Sequence, residues 1–103
     1  MMQTHDDTAA PRLDADDART VREAGARFAA DLLGTAWARF MVALGEQGDR
    51  LRRAALDAGH TPGQARLAAA HFEAAARAEW AWLEAATGAD SWRAARREAG
   101  GAR

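Results

Sequence analysis

The chain has 103 residues, a formal net charge of −1 and no cysteine. That length gives one small domain with a modest core. The composition excludes disulfides, thiolate metal sites and cysteine nucleophiles, and the near-neutral balance excludes a strong overall electrostatic footprint for nucleic acid.

Ile, Lys, Asn and Tyr are missing as well as Cys. Their codons are mostly rich in A and T, whereas the abundant Ala, Arg and Gly use G and C. A GC-rich gene accounts for this, so the fact that all 14 basic residues are Arg reads as a coding habit rather than a nucleic-acid signature. The start, Met1 to Asp7, has neither a basic nor an apolar region of the kind a secretory signal needs. No apolar run approaches the roughly 20 residues of a membrane span. The expected location is the cytoplasm.

In chain order, residues 1–15 form an acidic tail expected to be flexible. A helix then starts between Asp14 and Val21, where Asp14, Asp16 and Asp17 suit a first turn and Thr20-Val21-Arg22-Glu23 has the form of a capping box. The first arm runs toward Ala58 and is weakened by Gly25, Gly34, Gly45 and Gly48, each costing up to about 1 kcal/mol against Ala. Gly45 to Asp49 is the expected break. Leu33, Trp37, Phe40, Leu44 and Leu51 stay within about 60° on a helical wheel across it, so a kink is favoured over a full interruption.

Gly59-His60-Thr61-Pro62-Gly63-Gln64 is the clearest punctuation in the chain. Gly59 suits a left-handed helix end, Thr61 an N-cap, Pro62 the first helical position and Gln64 the third, completing a capping box. The second arm is Ala-rich and runs from Pro62 to Thr87; Gly88 then ends it and Asp90 caps a short last helix, Ser91 to Glu98. No segment alternates with a period of two. The expected class is all-α: an antiparallel helical hairpin spanning residues 16–99, with its turn at 59–63 and a flexible end over 100–103.

Residues 1–19 carry five Asp against Arg12 and Arg19, while residues 91–103 carry Arg93, Arg96, Arg97 and Arg103 against Glu98. In a hairpin these opposite ends would meet, each also suiting its helix terminus; the alternative is an acidic partner for the basic segment. The apolar residues point to a partner in another way. Trp80 and Trp82 diverge by about 200° around the second arm, and Val21, Phe28 and Leu32 lie about 100–140° from the main stripe of the first. One companion helix covers one stripe. Cover for the rest is expected from the Trp92 segment, another protein or, favoured, a second copy forming a dimeric bundle. The expected core and interface is Leu33, Trp37, Phe40, Leu44, Leu51, Phe72, Trp80, Trp82 and Leu83. A strip of small residues, Ala18, Gly25, Ala29, Ala36 and Ala43, would allow close helix approach, although 30 Ala in the chain make such strips common.

Little here suggests catalysis. Ser91 sits where a helix cap belongs. His5, His60 and His71 have no carboxylate or second His at i+3 or i+4 in a ligand pattern, and no Glu-x-x-His of the di-iron bundles occurs. No catalytic, cofactor or metal residue is assigned. Glu79 falls within the apolar face, between Phe72 and Leu83, where Arg22 or Arg39 would have to pair with it, or where it marks a polar interface or pocket.

The expected function is a non-enzymatic protein–protein interaction or oligomerisation module, of use as an adaptor or regulator of another protein. Two alternatives remain. A helix-turn-helix over Leu51–Phe72 could touch phosphate through Arg50, Arg52 and Arg53, with Gln64, Arg66 and His71 as the residues available to bases. A broad, weakly charged, Ala-rich helix face could also coat a lipid or polymer surface, a composition similar to that of phasins.

Overall fold

The computed structural model describes the backbone of residues 12–101 and the side chains of residues 12–88. The tail through Pro11 with His5, the side chains of Ser91 and Trp92, and residues 102 and 103 lie outside the described residues. Three helices follow in order: α1, Ala15–Asp31; α2, Trp37–Asp57; and α3, Pro62–Gly101. Among the described residues there is no strand.

The Asp14 side chain caps α1, accepting from the Asp17 amide at 2.8 Å, and Asp16 and Asp17 complement the positive end of the helix dipole. The turn between α2 and α3 matches its local chemistry closely. The His60 amide donates to the Ala55 carbonyl and the Gly59 amide to that of Leu56, both at 3.0 Å, a Schellman end with Gly59 at φ +100°. Thr61 and Gln64 then cap each other: the Gln64 amide donates to Thr61 Oγ1 at 3.1 Å and the Thr61 amide to Gln64 Oε1 at 3.0 Å.

The first arm departs from the hairpin expected of it. It does not kink at Gly45–Asp49; α2 runs through those residues without interruption. It reverses instead at Leu32–Ala36, where Gly34 takes φ +96° in open space and the Thr35 amide donates to the Leu32 carbonyl. The reason is burial. One continuous arm would hold the Val21–Phe28–Leu32 stripe and the Phe40–Leu44 stripe on different sides, whereas two helices can turn both stripes toward α3. At Gly45 and Gly48 the neighbouring Leu44 and Leu51 pack into the core from either side, which outweighs about 1 kcal/mol per glycine.

At the far end, Gly88 and Asp90 do not interrupt α3, so the separate last helix expected there is part of one 40-residue helix that also includes Gly100 and Gly101. The Ala-rich flanks carry the helical conformation through.

The result is a helical bundle in which α1 and α2 both lie on α3 and barely touch each other. The Gln64 side chain donates to the Arg12 carbonyl, and Gly25 meets Phe72 and Ala76, so α1 runs parallel to α3. Gly48 meets Glu73 and Phe40 meets Trp80, so α2 runs antiparallel to it. The core holds Ala29, Phe40, Leu44, Phe72, Ala76 and Trp80, with Val21, Phe28, Leu32, Met41 and Leu51 packed around them. The third helix therefore covers apolar groups for which a hairpin would have needed a second chain. It also separates the charged ends: Asp14, Asp16 and Asp17 stand by the start of α3, and Arg93 follows 31 residues after Pro62, roughly 46 Å along the helix. The expectation that these ends pair within one chain is overturned for those residues.

Candidate functional site

Five aromatic rings join the three helices. Phe40 stacks on Trp80 with centroids 4.2 Å apart and planes 19° from parallel, Trp37 lies against both, and Phe28 bridges Phe40 and Phe72 at 6.2 and 5.5 Å. Such pairs contribute about 0.5–1.5 kcal/mol beyond the area they bury. Phe40, Leu44, Phe72 and Trp80 are fully committed to this core, Leu51 is half-buried against it, and Leu83 is half-buried without being part of the cluster.

The other aromatic and aliphatic side chains expected at an interface remain in water. Trp82 is 67% exposed and Trp37 52%. Leu33 is exposed in the α1–α2 turn; Val42 and Leu56, outside the expected set, are exposed on α2. Geometry explains Trp82: two residues after Trp80, it points about 200° away from it, and α1, which could have reached it, has already ended at Asp31. Trp37 opens α2 and uses one side of its ring against Phe40 and Trp80. The exposed indoles thus stand near the end of the bundle from which α3 projects alone, with every residue from Glu84 to Gly88 exposed.

Beyond the Phe28–Phe40 contact α1 and α2 barely meet, and a cleft of about 220 Å³ opens between them over Ala68. Its walls are Leu13, Val21, Leu51, Ala54, Ala55 and Ala58, and its polar groups are Asp17, Thr20 and His60. No hydrogen bond links those three among the described residues, and nothing in the cleft pairs a nucleophile with a base. Sequence reasoning missed it, since it depends on the reversal at Gly34.

Glu79 is half-buried and has no ion pair with Arg22 or Arg39 among the described residues. No side-chain oxygen is both buried and unpartnered among those residues, so its carboxylate reaches water. No group of three His, Asp or Glu side chains among them is close enough to hold a metal. The basic cluster is partly engaged within its own helix: Arg50 donates to Gln47 at 3.3 Å and Arg52 lies 3.6 Å from Asp49. α2 also runs along α3 rather than crossing it at the steep angle of a helix-turn-helix. No described helix is long and apolar enough to cross a membrane.

The small residues of α1 have a structural use. Gly25 and Ala29 are buried against α3, and a Cβ on Gly25 would collide with the Phe72 carbonyl. Ala36 and Ala43 do not extend that seam, because the chain has turned before reaching them. Compared with known protein families, curated proteins and solved structures, the chain matches none.

Proposed function

We propose that this chain is a non-enzymatic helical interaction module that self-associates through the apolar side chains its fold leaves in water. Trp82, 67% exposed on α3, is the observation that carries this reading. A large exposed indole is the residue type most often found as an energetic anchor when chains associate, and Trp37 and Leu33 add apolar area near the same end of the bundle. A module of this kind would act by bringing copies, and whatever they carry, together.

Sedimentation over micromolar to submillimolar concentrations tests the reading. The native chain is expected to self-associate, and Trp82→Ala to weaken association by about 2 kcal/mol, close to a thirty-fold rise in Kd. The unfolding midpoint of the dilute protein should hardly move, since Trp82 makes no part of the core. A native chain that stays monomeric throughout this range would overturn the proposal.

A further inference from the structure

We infer that two copies associate antiparallel through the face of α3 turned away from α1 and α2, about a two-fold axis level with Ala76. The inference rests on the self-association proposed above and specifies its geometry around Trp82; Trp37 and Leu33, which lie outside α3, take no part in this face. Ala65, Ala68, Phe72, Ala76 and Trp80 face the bundle core. On the opposite side Leu67, Ala70, Ala74, Ala78, Ala81 and Ala85 recur at intervals of three and four residues, all exposed except the half-buried Leu67. Neither α1 nor α2 reaches this side.

Charge complementarity identifies the occupant as a second copy. One edge of the face carries Arg66, Glu73, Arg77 and Glu84, with Glu73 half-buried at the border where it also meets Gly48 of α2; the other carries Gln64, His71 and Trp82. A two-fold axis perpendicular to the helices sets each edge against itself. Arg66 then faces the partner's Glu84 and Glu73 faces the partner's Arg77, and symmetry doubles both to four opposite-charge pairs. Every one of these pairs is centred within a residue of Ala76.

The apolar positions share that centre: Leu67 falls opposite the partner's Ala85, Ala74 opposite the partner's Ala78, and Trp82 beside the partner's His71. A parallel pair would instead set the charged edge against the uncharged one and leave the charges unmatched. Small side chains along the seam permit the short interhelix distance already seen between α1 and α3 at Gly25.

The separated ends of the molecule supply an independent observation. Residues 1–19 and 91–103 carry net charges of −3 and +3; of the described residues among them, Asp14, Asp16 and Asp17 stand by the start of α3 and Arg93, Arg96 and Arg97 lie toward its other end. The antiparallel pair carries the segment with Arg93, Arg96 and Arg97 past the start of the partner's α3, to the end where its Asp14, Asp16 and Asp17 stand. Segments of opposite charge that one chain keeps apart are brought to the same end by two.

Two variants test the arrangement together. Arg66→Glu with Arg77→Glu makes the edge wholly acidic; Glu73→Arg with Glu84→Arg makes it wholly basic. Each alone sets four like-charge contacts across the axis and is expected to dimerise at least roughly ten-fold more weakly than the native chain, with helix content by circular dichroism unchanged. Mixed in equal amounts they restore all four opposite pairs and should form a 1:1 heterodimer by native mass spectrometry. If both variants dimerise as the native chain does, this face is not the interface, although self-association stands. If they fold, remain monomeric and fail to associate when mixed, the antiparallel register is wrong. A monomeric native chain would remove both proposals.

Discussion

α1 and α2 pack on the same helix by opposite means. α1 approaches α3 through Gly25 and Ala29, close enough that a Cβ on Gly25 would meet the Phe72 carbonyl and come within 3.2 Å of the Ala76 amide nitrogen. α2 approaches through Phe40 and Leu44, the two largest fully buried side chains, with Phe40 stacked on Trp80. The first contact draws its stability from dispersion between backbones held near each other, the second from apolar area removed from water. The two seams should therefore fail in opposite directions: α1 to added atoms, α2 to removed ones.

The largest effect is expected on the α2 seam. Phe40→Ala deletes a ring with no exposed surface and leaves Trp80, Phe28 and Trp37 facing a void. Such truncations cost about 3–5 kcal/mol, a large part of the 5–15 kcal/mol that holds a typical domain. Urea unfolding of the variant should show a greatly lowered midpoint or no folded baseline. A loss below about 1 kcal/mol would mean that α2 does not depend on this ring.

Gly25→Ala is the matching experiment on α1. Helix propensity alone would make it stabilising by up to about 1 kcal/mol. The added methyl, however, meets backbone rather than a side chain that can swing aside, so α1 must move away from α3. A net loss of about 1–3 kcal/mol by the same urea titration is expected. A gain would show that the two helices are not held at backbone distance, and the contrast between the seams would disappear.

The two seams were also unequally legible in the sequence. Phe40, Leu44, Phe72 and Trp80 announce themselves by size and spacing, and the Thr61–Gln64 box and Gly59 are local chemistry that needs no tertiary information. The α1 seam is written in Gly and Ala, where a meaningful pattern looks like the composition of the whole chain. The reversal at Gly34 was hidden for a related reason: the apolar phase from Leu33 to Leu51 stays unbroken across a turn that lies before most of it, and four glycines compete for one break. Only the benefit of turning Phe28 and Phe40 onto the same helix decides among them, and that benefit is not local. Trp82 was legible as a group needing cover, but Trp80 was not separable from it until the third helix showed which of the two indoles the fold itself buries.

The smallest expected effect gives the finest test of the comparison. Gly48 is also buried in a seam, that of α2, and a Cβ there would collide with the Glu73 carboxylate. That obstacle is the far end of a flexible side chain, held by one loose pairing to Arg77 at 3.8 Å, so it can move at little loss. Gly45, three residues earlier, has nothing within 4 Å of its would-be Cβ. Gly45→Ala should then gain about 0.5–1 kcal/mol from helix propensity alone, and Gly48→Ala should fall within about 0.5 kcal/mol of the native chain. The difference between these two variants reads the displacement of Glu73 directly, because propensity is common to both. If Gly48→Ala instead loses as much as Gly25→Ala, α2 too is seated at backbone distance, and ring area alone no longer accounts for its seam.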